Sequence, residues 1–206
     1  MKAKSVKRVY GVGHAKWYDT SKKLWDRLVS KKANHELIQF FKKEIHKNTS
    51  ILELGCGTGV NLERISALNL EFKDYLALDF SPDMLAIAKG KFGNQPNVQF
   101  KQQNITQLDK IKGPFDVIIS TWVLSHLDNP AEVINRAQSL LTKNGKMFLI
   151  TFSKPKWFIH FWLYPLSKIF FACEPVEQSK IKKIKNIKKI RSYALGITTI
   201  VLIEKS

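Results

Sequence analysis

One stretch limits what this chain can fold into: Ile51-Leu52-Glu53-Leu54-Gly55-Cys56-Gly57-Thr58-Gly59. The short apolar run from Ile51 to Leu54 fits a strand buried on both faces. Glycine then takes every second position, and Val60 to Ile65 begins a helical pattern. Strand, Gly-rich turn and helix form the opening unit of a nucleotide-binding α/β fold. Glycine lets the backbone bend sharply and lets a ligand come close to it. The helix start adds unpaired N–H groups. Spacing narrows the ligand further. A dinucleotide site calls for G-x-G-x-x-G, whereas position 60 is Val and the glycines here fall at 55, 57 and 59. Glu53 near the strand end would repel a pyrophosphate and suits a cationic ligand.

A second element has the same form. Tyr75 to Asp79 is an apolar strand ending in a carboxylate, placed where nucleotide-binding α/β folds keep the acid that holds ribose hydroxyls. Ser81 and Pro82 then make a helix start, as N-cap and first helical residue. The E-x-G-x-G-x-G string at 53–59 resembles motif I of the class I S-adenosylmethionine-dependent methyltransferases. L-D-F-S-P-D-M-L at 78–85 resembles that family's post-II region, and F-D-V-I at 115–118 its motif II. Thr121-Trp122-Val123-Leu124-Ser125-His126 is similar to the x-x-V-L-x-H segment of generic type-11 members.

The resemblance implies a Rossmann-like, doubly wound α/β fold with a mostly parallel seven-stranded sheet and a C-terminal β-hairpin. It implies S-adenosylmethionine as cofactor. The methionine end would meet Glu53 and the loop Gly55, Cys56, Gly57, Thr58 and Gly59; Asp79 would hold the ribose. Phe80, Asn104 and Ile105 would line the adenine side, and Met84 is a further cofactor-binding candidate. Family members often have Asp where this chain has Asn104, and an amide oxygen can still accept from an amino group. Ser120, Thr121 and Trp122, at the carboxyl end of a central strand, fall near the cofactor. His126, Tyr18 and His14 are the candidate bases, the last two on a Y-D-type N-terminal arm that closes over the cofactor in relatives. No Cys or His spacing suggests a metal.

Other elements follow from pattern. Residues 21–46 read as helix with a break near Ser30 to Asn34, and further helices as 59–68, 82–91 and 130–141, the last ended by Asn144-Gly145. Strands read as 98–100, 115–120 and 146–152, with a hairpin of 190–195 and 197–203 around Gly196. The whole is expected to be one domain: arm and helices at 1–48, cofactor core at 49–152, an aromatic and basic segment at 153–187, and the hairpin at 188–206.

Net charge bears on the partner. The chain carries +17. Residues 1–50 hold thirteen Lys or Arg against four Asp or Glu, residues 51–150 ten against ten, and residues 151–206 eleven against three. The core is thus neutral and its flanks basic. Residues 157–171 are apolar on nearly every helical face yet shorter than the roughly 20 residues a bilayer span needs. The basic run Lys180 to Arg191 follows. Aromatics beside lysines suit an interface of acyl chains and anionic headgroups. These features point to a small apolar or lipid-like acceptor, a cytoplasmic protein lacking an N-terminal signal, and possible contact with a membrane surface. RNA methylation is the alternative, since basic surfaces also suit phosphates. A non-catalytic binding subunit is the third reading.

Overall fold

The computed structural model describes residues 29–154 and 174–205. In chain order the elements are α1 (Lys31–Glu44), β1 (Ser50–Leu54), α2 (Val60–Ala67), β2 (Asp74–Asp79), α3 (Pro82–Phe92), β3 (Val98–Gln102) and β4 (Phe115–Thr121). After these come α4 (Pro130–Ala137), β5 (Leu141–Phe152), α5 (Gln178–Ile181), β6 (Ile187–Tyr193) and β7 (Thr198–Glu204). The strands form one seven-stranded sheet in the order β3-β2-β1-β4-β5-β7-β6. Only β7 runs against the others, pairing antiparallel with both β5 and β6.

Period-two alternation sends the side chains of each central strand to two cores. Leu52, Leu54, Ile118, Met147 and Leu149 pack on the α4 side. Ile51, Tyr75, Val117, Ile119, Phe148 and Ile150 pack on the other, under Leu37 and Phe41 of α1 and Leu62 and Ile65 of α2. Every residue of β1 is buried, as a central strand covered on both faces requires. Fully burying a side chain such as Leu37 or Phe41 contributes about 1.5–3 kcal/mol, which fixes α1 although its outer face is lysine-rich. The strand order turns back at β1: β2 and β3 lie to one side, β4 and β5 to the other. That reversal opens a crevice at the carboxyl ends of β1 and β4.

Helix α1 begins at Lys31 with Ser30 at its N-cap, inside the stretch where a break was expected, and residues 21–28 lie outside the described residues; buried Ala33 and Leu37, one turn apart, hold its first turn. Two boundaries differ from expectation. Helix α4 gives way to a 3-10 turn at Gln138–Leu140, and Asn144-Gly145 bulges from β5 instead of capping a helix. Asn144 takes a φ of 64°, and both residues bond across to Lys205. The hairpin is longer at its start, because β6 begins at Ile187. Its lysines lie on the edge strand, where Lys188 pairs with Glu204 and Lys189 with Glu36 and where charge blocks pairing with another strand, so the sequence reads there as a solvated run.

Candidate active site

A cleft of about 720 Å³, partly open to solvent, lies at that crevice. Its wall includes Gly55, Gly57, Asp79, Phe80, Ser81, Met84, Gln103, Asn104 and Ile105. Thr121, Trp122, Val123, His126 and Leu127 complete the described wall.

The glycine loop is pinned before any ligand arrives. The N–H groups of Gly55 and Cys56 donate to the carbonyl of Leu78 at 2.7 and 2.9 Å, tying the loop to the end of β2. Gly55 has a φ of +76°, and a Cβ added to it would stand 2.3 Å from Cγ2 of Val123. Only glycine lets the loop and the segment after β4 close to this distance. Gly57, φ +55°, is different: an added Cβ would meet nothing within 4 Å. Its bare backbone lines the cleft and leaves room for a ligand.

Asp79 is 8% exposed. Its Oδ2 accepts from the Gly57 N–H at 2.8 Å and its Oδ1 from the Ser81 N–H at 2.9 Å. Burial pushes its carboxyl above the ordinary range, although the N–H groups of Ser81, Gly57 and Phe80 favour the ionised form. Each carboxylate oxygen accepts two bonds, so the cleft side of Asp79 can still receive hydroxyls. Ser81 also caps α3 through Oγ, which accepts from the Met84 N–H at 3.4 Å.

Glu53 departs from its expected place against the methionine end. It is 1% exposed and absent from the cleft wall. Its Oε1 accepts from Asn61 Nδ2 at 2.7 Å and its Oε2 from the Tyr75 hydroxyl at 2.6 Å. Alternation explains this: Glu53 shares the sheet face of Ile51, which α1 and α2 cover. Burial raises its carboxyl above the usual range, opposed by the Tyr75 and Asn61 hydrogen bonds and reinforced by Asp79. Burial, and then the nearby Glu53 carboxylate, pushes the Tyr75 hydroxyl upward as well.

Cys56, Thr58, Gly59 and Ser120 also stand behind the wall. Burial, with the charges of Glu53 and Asp79, pushes the Cys56 thiol far up. Thr58 Oγ1 is buried without a hydrogen-bond partner among the described residues. Gly59 takes a φ of +83° at the start of α2, packed near Phe92. Ser120 Oγ donates to the Leu54 carbonyl at 3.0 Å, joining β4 to β1. These residues shape the loop from below.

On the other wall, Asn104 Oδ1 accepts from the Thr106 N–H at 3.0 Å, so the oxygen expected to read adenine is shared with a turn. Trp122 is held at φ +66°, uncommon for a bulky residue, with its N–H donating to the Ile150 carbonyl at 2.7 Å. His126 lies in the 3-10 turn Leu124–His126 on the cleft wall. His14 and Tyr18 lie outside the described residues. The sequence argument missed Asn61, Tyr75, Gln103 and Val123. Asn61 carried a readable sign: a polar side chain in the first turn of the helix that follows the loop.

Fold and cleft together define a Rossmann-like α/β domain with a glycine loop and a buried carboxylate, Asp79, at the crevice where the strand order reverses. Residues 52–147 match the family model described as methyltransferase domain. Malonyl-[acyl-carrier protein] O-methyltransferase 1 of Ilyobacter polytropus is 31% identical over 144 residues, covering 70% of this chain and 51% of that protein. The mitochondrial ubiquinone biosynthesis O-methyltransferase of Saccharomyces cerevisiae is 29% identical over 113 residues, 53% of this chain and 36% of that one. A Mesorhizobium loti S-adenosylmethionine-dependent methyltransferase structure shares the fold at a TM-score of 0.67 and 16% identity, over 82% of this chain and 96% of that one. Residues 52–147 thus match the methyltransferase-domain family, and the fold is the one seen in S-adenosylmethionine-dependent methyltransferase structures. The chain spans about a third to three-fifths of the length of the curated relatives it matches.

Proposed function

We propose that this chain transfers a methyl group from S-adenosylmethionine to a small acceptor with an apolar or lipid-like body. The observation that carries the reading is the cleft itself. Gly57 offers uncovered backbone, and Asp79 offers a carboxylate with acceptor capacity left over, on one continuous wall. These groups fit the cofactor: the carboxylate suits ribose hydroxyls, and Phe80, Met84 and Ile105 give an apolar setting for a base. When bound, the cofactor would supply a methyl carbon activated by a sulfonium centre: the acceptor lone pair would form the new bond to that carbon as the C–S bond breaks and the sulfur leaves as a neutral thioether.

The chain's own part is orientation and exclusion of water, which suffice for an in-line displacement. The loop and Asp79 hold one end of the cleft. Trp122, Val123 and Leu127 give its opposite end an apolar wall, which favours an acceptor with an apolar body. His126 on the same wall is the described candidate to take a proton from a hydroxyl or carboxyl acceptor. The two named relatives methylate oxygen on different molecules by their printed names, so the shared core accommodates more than one acceptor.

Contact with an anionic membrane surface belongs to the same proposal. Among the described residues no helix is long and apolar enough to cross a membrane. Lys188 pairs with Glu204, and Lys189 and Arg191 with Glu36, so part of the basic run is spent within the fold. Lys182, Lys183 and Lys185 are exposed and make no ion pair with described residues. The test incubates the chain with a labelled methyl donor and, separately, a small-molecule and lipid extract or total RNA. Label entering the organic-soluble fraction is the expected result. Label confined to RNA would replace this acceptor reading with the nucleic-acid one, and failure to bind S-adenosylhomocysteine in calorimetry would remove the methyltransferase reading itself.

A further inference from the structure

On the sheet face that α2 covers, three strands each place a polar side chain: Tyr75 near the start of β2, whose hydroxyl reaches Glu53, then Glu53 of β1, and Thr121 at the end of β4. Asn61 of α2 joins them. Its Nδ2 donates to Glu53 Oε1 at 2.7 Å and to Thr121 Oγ1 at 3.0 Å. Its Oδ1 accepts from Arg64 Nη1 at 2.9 Å. A guanidinium only donates, so the Asn61 oxygen must face Arg64 and its NH2 must face the other two. Thr121 Oγ1 is therefore an acceptor toward Asn61, and its own proton is left for another partner. Thr121 lines the cleft, and its hydroxyl has no other hydrogen-bond partner among the described residues.

We infer that Thr121 donates a hydrogen bond to the carboxylate at the methionine end of the bound cofactor, and that Asn61 is the positioning residue that fixes this direction. The inference rests on the proposed cofactor. An amide donating to a hydroxyl oxygen strengthens that hydroxyl as a donor, and Arg64 polarises the amide in the same sense. Glu53 takes the second amide hydrogen and prevents the NH2 from rotating. The buried acid of the motif thus works through Asn61 and Thr121 instead of touching the ligand.

Calorimetry with S-adenosylhomocysteine and with its decarboxylated analogue tests this. Thr121→Val should weaken the parent ligand about 10- to 100-fold, the range of a hydrogen bond to a charged group. It should leave the decarboxylated analogue unaffected, and Thr121→Ser should recover most of the loss. Asn61→Ala should weaken S-adenosylhomocysteine in the parent background but add little on top of Thr121→Val. A purely structural role would give equal losses in both backgrounds. If Asn61→Ala fails to fold, Arg64→Met, which removes the guanidinium that polarises the amide, takes its place and should show the same coupling in smaller measure. A Thr121→Val chain that binds both ligands as the parent does, or that loses both equally, overturns the inference while the methyltransferase reading stands. A parent chain that binds neither ligand removes both.

Discussion

Replacing Asp79 by Ala separates ligand binding from folding. The side chain accepts from Gly57 and Ser81 N–H groups and keeps acceptor positions on its cleft side. One hydrogen bond to a charged group contributes about 1.5–3 kcal/mol, so loss of one ribose contact should weaken S-adenosylhomocysteine about 10- to 150-fold. Folding should suffer less. The two N–H groups lose a partner, but Gly57 lines the cleft where water can replace the oxygen. Removal of a buried carboxylate also relieves a desolvation cost. We expect the apo chain to lose about 1–2 kcal/mol at neutral pH.

The pH dependence carries a sign. Burial raises the Asp79 carboxyl above 3.8 in the fold. The group's contribution to apo stability is therefore greatest below 3.8 and falls as pH rises through the raised value. Ligand hydroxyls need the ionised form, so affinity should be lost as pH falls through the same window. Glu53, also raised, titrates nearby. Asp79→Asn removes the Asp79 part of the profile and leaves the rest. Calorimetry from pH 7 downward, with denaturant melts at each pH, measures both effects. An Asp79→Ala chain that binds as tightly as the parent would refute the ribose assignment.

Gly55→Ala should cost about 2–4 kcal/mol, combining a left-handed backbone with an overpacked Cβ against Val123; Val123→Ala in the same chain should restore the packing part, as read by urea melts. Glu36 clamps α1 to β6, accepting from the Tyr193 hydroxyl, Arg191 and Lys189. Burial alone would raise its carboxyl, but the Tyr193 and Arg191 hydrogen bonds and the Lys189 charge hold it below 4.5. Glu36→Gln should cost about 1 kcal/mol, discounted for exposed partners; the difference from the parent should hold above pH 4.5 and close as pH falls through the lowered value. Converting Lys182, Lys183 and Lys185 to Gln should weaken co-sedimentation with anionic vesicles about 100-fold at low salt, at about 1 kcal/mol per lysine; unchanged sedimentation would count against surface contact.

Much of the sheet was legible because its signals are local. The alternating glycines, the acid ending the second strand and the Ser81-Pro82 helix start each lie within a few consecutive residues. They located β1, β2, α2 and α3 to within a residue. The edge strand β6 was harder. Its burial alternates weakly, and Lys188, Lys189 and Arg191 imitate a solvated loop, because protecting an edge uses the same residues as a soluble turn.

The task of Glu53 was illegible for a different reason. Its chemistry as a lone carboxylate suggested a cationic ligand, and a sequence presents it next to the glycines it precedes. Which face it takes depends on alternation, and what meets it there depends on strand neighbours. Register sets Ile51 against both Tyr75 and Val117, which brings Tyr75, Glu53 and Thr121 to one face although 46 residues separate the last of these from Tyr75 in the chain. Only with that register do Asn61 and Tyr75 become its partners. A buried acid with two donors then holds the start of α2 and the neighbouring strand β2 in fixed relation, and such an arrangement lets the cleft wall be ordered before a ligand binds.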